Sequence, residues 1–438
     1  MRHSCSLLHT VSRATEGLLQ SAALRRAMPA LPLLLGAAVL AAVQVGAAAA
    51  VAPQCSTELD CELSGSCEAG RCACDPGWTG PTCTMLDLEP NAPGHVAFHD
   101  VQHGWSSWGS SPPIRAPDGT FHLYATRDIN RCPVVPDYTY NEQLIHATSS
   151  SLLGPYSFSN VALDQVIINP HVVKAPGGEL VLFYSGEPVP GRLAKNCSHS
   201  RQLQQQQQQR RQHHFSSSSR ARSHEPPGPA GYVNDGCVLS VATAPDVNTP
   251  FVNLLTNFTP AGAERLFCRT NPTAFIFQNG TTLLYFRSAE SNGENEQIWL
   301  ATAPSYRGPY TLHSTAPVGP TSNSPLMGGI HDEDPFIFRT ARGFILMMHM
   351  SHWGPGWNGA KAWSEDGLAW HWTEESMTRV WNSTVSYTDG TEVTFRRREE
   401  PKIYLDEHGA MRAMFNAVTD PHDSSISYVM SQGIRAGG

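Results

Sequence analysis

Beyond residue 95 the apolar residues fall into short runs, and each run sits in the same polar frame. A polar residue and a proline open the phrase, a few mixed residues follow, then a turn with glycine, then an apolar strand. It reads Ser111-Pro-Pro-Ile-Arg-Ala-Pro-Asp-Gly-Thr-Phe-His-Leu-Tyr, then Asn169-Pro-His-Val-Val-Lys-Ala-Pro-Gly-Gly-Glu-Leu-Val-Leu-Phe-Tyr, then Asn271-Pro-Thr-Ala-Phe-Ile-Phe-Gln-Asn-Gly-Thr-Thr-Leu-Leu-Tyr-Phe. It returns as Asp334-Pro-Phe-Ile-Phe-Arg-Thr-Ala-Arg-Gly-Phe-Ile-Leu-Met-Met and Glu400-Pro-Lys-Ile-Tyr-Leu-Asp-Glu-His-Gly-Ala-Met-Arg-Ala-Met-Phe. Each phrase predicts a hairpin of two short strands about a glycine turn. A third strand follows each, such as Gln143-Leu-Ile-His-Ala-Thr or Ile298-Trp-Leu-Ala-Thr, and Leu153-Gly-Pro-Tyr and Arg307-Gly-Pro-Tyr read as turns into a fourth. Five copies of a small antiparallel sheet predict an all-β fold, a five-bladed β-propeller over residues 95–436. No helical periodicity competes, and the 36 glycines and 33 prolines suit many turns. A β-sandwich is the rival architecture.

Two segments depart from that rhythm. Arg25 and Arg26 precede an apolar run over residues 31–52 that ends in alanines. Residues 1–50 therefore read as a signal peptide, which would be more ordinary if translation began at Met28, or as a single-pass membrane anchor. Either delivers the chain to an oxidising compartment, secreted or held at a membrane. The second departure, residues 193–231, is a glutamine run followed by serine, arginine, histidine and proline, and predicts a disordered surface insertion. Net charge is −8 with no basic patch, which sets nucleic acid aside as a partner.

Six cysteines crowd residues 55–83, too short a stretch to bury a core without covalent staples. Spacing alone leaves 15 connectivities open. The ending Cys72-Ala-Cys74-Asp-Pro-Gly77-Trp78-Thr-Gly80-Pro-Thr-Cys83 resembles the EGF-like domain, here over residues 53–84. That resemblance implies bridges Cys55–Cys67, Cys61–Cys72 and Cys74–Cys83. The acidic-plus-amide pattern of calcium-binding EGF modules is missing before Cys55, so no calcium is expected there. The module reads as a spacer or as an adhesive unit toward an extracellular protein partner. Cys132, Cys197, Cys237 and Cys268 allow two further bridges, and sequons at Asn196, Asn257, Asn279 and Asn382 are compatible with glycosylation.

Propeller ligands usually meet the protein over the central channel, where the innermost strands begin. The residues before the repeat prolines, Ser111, Asn169, Asn271, Asp334 and Glu400, are expected to line it. Charge concentrates beside the last two, as His331-Asp332-Glu333-Asp334 and Arg396-Arg397-Arg398-Glu399-Glu400. Crowded acids raise one another's pKa and Arg398 would hold one ionised, which separates an acid from a base as sugar hydrolysis requires. Strand residues alternate faces, so Glu333 and Asp334 are not expected to share a pocket.

These acid-or-amide–proline phrases resemble the arabinanase/levansucrase/invertase superfamily, including glycoside hydrolase family 43. The phrase His331-Asp-Glu-Asp-Pro-Phe336 is similar to one in a secreted subgroup of such propellers. The resemblance implies catalytic carboxylates in the first three blades, where this chain has Ser111, Asn169 and Asn271. Catalysis has then either moved to Asp334 and Glu400, with Glu333 and Glu399 as alternates, or been lost in favour of sugar binding. Candidate substrate contacts are Ser111, Asn169, Asn271, His331, Arg398, Trp105 and Trp108, with Trp353 and Trp357 as further aromatic faces. No nucleophilic-serine elbow or phosphate loop occurs, the spacing of His331 and His349 matches no specific metal site, and no cofactor is expected. Three readings stand: a glycosidase, a carbohydrate-binding protein, and a matrix or adhesion protein with the propeller as scaffold.

Overall fold

A computed structural model describes residues 55–100, 106–129, 142–186, 237–290, 296–313, 318, 332–350, 356–423 and 425–436. Residues 1–50 and the insertion at 193–231 lie outside these. The alternating pattern forms five antiparallel sheets in chain order. Blade one takes Ser107–Ser110, Phe121–Asp128, Glu142–Ser149 and Ser157–Val166, with Ile114–Arg115 also pairing to its second strand. Blade two takes Ile168–Lys174, Leu180–Ser185, Leu239–Ala244 and Val252–Phe258, and blade three Leu266–Ile276, Thr282–Glu290, Glu296–Ala303 and Thr311–Leu312. Blades four (Asp332–Arg339, Phe344–Met350, Gly359–Ser364) and five (Arg398–Leu405, Met411–Thr419, Ser427–Gly433) are three-stranded. The fold is therefore the five-bladed all-β propeller that the repeats predict.

The apolar core lies between blades. Leu182, Tyr184 and Ala242 of blade two pack on Tyr124 and Leu144 of blade one, and Leu346 and Met348 of blade four on Tyr285 and Leu300 of blade three. Because each blade is sandwiched, its middle strand is buried on both faces, as along all of Phe344–Met350.

The repeated X–Pro pair marks a β-bulge. In blade three Thr270 pairs with Arg287 and the next paired residue is Thr273, opposite Tyr285, so Asn271-Pro272 is skipped. Blades two, four and five skip Asn169-Pro170, Asp334-Pro335 and Glu400-Pro401 in the same way. A proline, having no N–H, costs nothing where the ladder is already broken.

The ring closes through the chain just after the EGF module. The Glu89 amide donates to the Gly433 carbonyl and the Phe98 and Val429 amides exchange bonds, so residues 89–98 run along the outer edge of blade five.

The module carries Cys55–Cys67, Cys61–Cys72 and Cys74–Cys83, the pairing the EGF resemblance implies, and Cys237–Cys268 links blades two and three. Cys132 and Cys197 lie outside the described residues. The module is more than a spacer. Its Leu63, Trp78 and Leu86 share a core with Phe338 and Trp363 of blade four and Met414 of blade five, each stabilising by about 1.5–3 kcal/mol relative to exposure. In that seam the fully buried Lys361 ammonium donates to Ser64 Oγ at 2.8 Å and the Cys83 carbonyl at 2.7 Å, and stands 3.2 Å from Glu62 Oε2. It also sits 3.8 Å from the centroid of the Trp78 ring, a cation–π contact. At the rim Arg342 grips Asp75 at 2.6 and 2.8 Å and Glu58 at 2.8 Å.

Candidate active site at the propeller channel

The bulge residues Asn169, Asn271, Asp334 and Glu400 all adopt left-handed backbone, with φ of 51, 48, 52 and 53°. Asparagine and aspartate enter this region readily; a glutamate there costs about 1–2 kcal/mol, and such a cost marks Glu400 as a functional candidate. In blade one the equivalent residue is Gly109 (φ 67°), which sits in the register break between Trp108 and Ser110. Ser111, expected at the channel, is displaced by this register. Its hydroxyl accepts the Val172 amide of blade two, just as the Thr273 hydroxyl accepts the Ile337 amide of blade four. Proline misled the sequence reading because blade one has its bulge at Gly109, three residues before Pro112.

Gly109 has a steric reason. A Cβ there would stand 3.3 Å from Glu400 Cγ, so the empty position lets the Glu400 side chain cross blade one. Its Oε1 accepts a hydrogen bond from Asn169 Nδ2, while Lys402 Nζ lies 2.9 Å from Oε2. Asp334 is held differently. Oδ1 accepts from Asn271 Nδ2, and Oδ2 accepts the Glu400 amide at 3.1 Å. Burial, with the charges of Glu400 and Glu333 beside it, pushes the Asp334 carboxyl well above the usual range.

The bulge also overturns strand alternation. Ligand atoms of Glu333, Asp334, His349 and Glu399 all lie within 4.8 Å of one another. His349 Nδ1 is 3.6 Å from Glu333 Oε2 and 3.9 Å from Asp334 Oδ2. Burial opposes the imidazolium, yet the three acids together raise its pKa. Glu333, against its own burial, is drawn down to about 2 by Arg287 at 2.5 Å and by His349. Arg397 clasps Glu399 at 2.6 and 2.7 Å and lies 4.5 Å from the Trp108 ring centroid. The four donors have a spacing a metal ion could use, but Arg287 and Arg397 already balance two of the carboxylates.

Arg398 has the opposite address from the one expected. It points away from the acids, donating to Asn416 Oδ1, the Asn382 carbonyl and Gln432 Oε1, and burial brings its pKa down to about 9. Its neighbour Arg397 supplies the counter-charge, as alternation along a strand requires. Trp108 is buried beneath Arg397 and offers no open face. His331, Trp105 and Trp353 lie outside the described residues.

Sequence reasoning missed Arg287, Lys402, Asp128 and Glu142, and gave Asp332, noted only as part of a charged run, no role. Burial lifts Asp332 to about 8, and burial followed by the charges of Asp128 and Glu400 lifts Glu142. Arg287 and His349 face the residue before the bulge, so a charge ending an apolar second strand was the available signal.

Residues 53–85 match the Teneurin-like EGF domain. No curated protein sequence matches the chain significantly. Among solved structures it resembles a family 117 glycoside hydrolase from the marine bacterium Zobellia galactanivorans, with a TM-score of 0.51 and 13% identity over 81% of this chain and 92% of that one. A thermostable family-43 glycoside hydrolase aligns at a TM-score of 0.49 with 13% identity, over 78% of this chain and 92% of that one. At 13% identity the likeness to the family 117 enzyme speaks to fold alone. The chain joins a Teneurin-like EGF module to a five-bladed β-propeller with the fold of propeller glycoside hydrolases.

Proposed function

We propose that this is an exported glycan-active protein whose channel hydrolyses a glycosidic bond with Asp334 and Glu400. The supporting observation is that these carboxyls occupy equivalent bulges of neighbouring blades in unlike surroundings. Asp334 is held by a neutral amide and a backbone N–H among like charges, whereas Glu400 has the Lys402 ammonium as counter-charge. Asp334 is suited to donate a proton to the leaving oxygen, and Glu400 to act as base or nucleophile. The part-exposed Glu333–Arg287 pair and Arg397, which holds the buried Glu399, would orient sugar hydroxyls at the mouth, with half-buried Asn169 beside them. His331 and Trp105 stay candidate contacts on sequence grounds.

A second reading, glycan binding without turnover, draws on the depth of the pair: Asp334 is 4% and Glu400 2% exposed. Reducing-sugar release from a panel of cell-wall and matrix glycans, run beside Glu400→Gln and Asp334→Asn, separates the two. Release abolished by both substitutions supports hydrolysis; glycan retention without release supports binding, and neither on any glycan sinks both.

A further inference from the structure

Of the three sequons within the described residues, Asn257 and Asn279 are exposed, Asn279 at a hairpin turn. Asn382 is different. It is half-buried and lines a hollow of about 330 Å³ between the EGF module, the segment after it, and blades four and five. Its Oδ1 accepts the Thr384 amide at 2.9 Å, which fixes the side chain and leaves Nδ2, the atom a glycan would take, without a protein hydrogen bond in the described residues. Directly across the strand bridge from Asn382 stands Trp357, which is 43% exposed and so one of few large apolar side chains on the described surface. An open indole beside a rigid sequon offers a sugar ring an apolar face to stack on. The hollow is rimmed by polar groups: the Asp87–Arg435 ion pair, closed at 2.6 Å across the seam, with Ser386 and Thr384.

The geometry points to Asn382 as an N-glycosylation site whose first sugars fold back into this hollow and stack on Trp357, bracing the module against the propeller. Glycan transfer would take place before the site folds. Nδ2 loses a proton and bonds to the anomeric carbon of a lipid-diphosphate-linked oligosaccharide, and the lipid diphosphate leaves. The sugar then occupies apolar surface that water otherwise wets, while its hydroxyls meet the polar rim. This inference rests on export of the chain, which the other sequons report separately.

The test uses the full chain secreted from a eukaryotic host. Peptide mass spectrometry reads occupancy at every sequon, and melting is followed before and after enzymatic glycan removal, in the wild type and in Trp357→Ala. The expected result is an occupied Asn382, a fall in Tm of about 2–4 °C on glycan removal in the wild type, and no such fall in Trp357→Ala. An unglycosylated Asn382 beside an occupied Asn257 or Asn279 overturns the inference and leaves export standing; no occupied sequon removes both. Occupancy with equal melting before and after removal would mean a sugar that never seats, and an equal loss from Trp357→Ala with and without glycan would mean that the indole acts alone.

Discussion

The seam under the EGF module and the channel of the propeller both bury charge, and they do so by opposite rules. In the seam one ammonium, Lys361, meets one carboxylate, two oxygen acceptors and an aromatic face. Among the described residues the channel sets Glu142, Asp332, Glu333, Asp334, Glu399 and Glu400 against Arg287, His349, Arg397 and Lys402, so acid outnumbers base there. A closed ion pair serves to fix two parts in register; a surplus of buried carboxyls is a cost that folding alone does not explain. The first fits attachment, and the second is the arrangement on which the proposed hydrolysis rests.

Breaking the seam should have the largest effect. Lys361→Ala strands Glu62 in the core and is expected to cost about 3–5 kcal/mol in denaturant unfolding, with much of the loss restored when Glu62→Leu is added. Gly109→Ala comes next. A Cβ at positive φ presses on Glu400, so about 1–3 kcal/mol should go, together with any glycan turnover. Asp334→Asn reverses the sign: it should abolish turnover yet gain about 1–2 kcal/mol at neutral pH. The Asp334 pKa is raised on folding, so its penalty is absent below the ordinary carboxylate range and grows as pH rises toward the folded value. The advantage of Asp334→Asn over wild type should therefore widen from pH 4 to 7 and vanish below pH 4; a constant difference would mean that charge is not the cause. Arg342→Ala at the seam's wet rim should cost under about 1 kcal/mol, since its partners are part-exposed.

Much of the fold could be read in the chain because the X–Pro bulge and the glycine turn are local devices repeated five times. The same device hid part of the site. Pro112 drew attention to Ser111, whereas blade one makes its bulge with Gly109 and no proline. Strand alternation correctly separates Arg397 from Arg398 but wrongly separates Glu333 from Asp334, because the left-handed residue between ladder pairs turns both to one side. The docking of the EGF module left no local mark: Lys361 sits in an apolar strand, and its partners Glu62 and Ser64 lie almost three hundred positions away.

The strip at residues 89–98 that finishes blade five has a consequence for biosynthesis. These residues leave the ribosome before any blade does, yet the strand they must join, Ser427–Gly433, is the last of the described blade strands to be made. Domains tend to fold as they emerge, N-terminal parts first. Here the disulfide-stapled module can mature early but must wait, with its apolar face uncovered, until blades four and five are made. Synthesis of Ser427–Gly433 then closes the ring against residues 89–98, and a chain truncated before residue 427 would lose that closure.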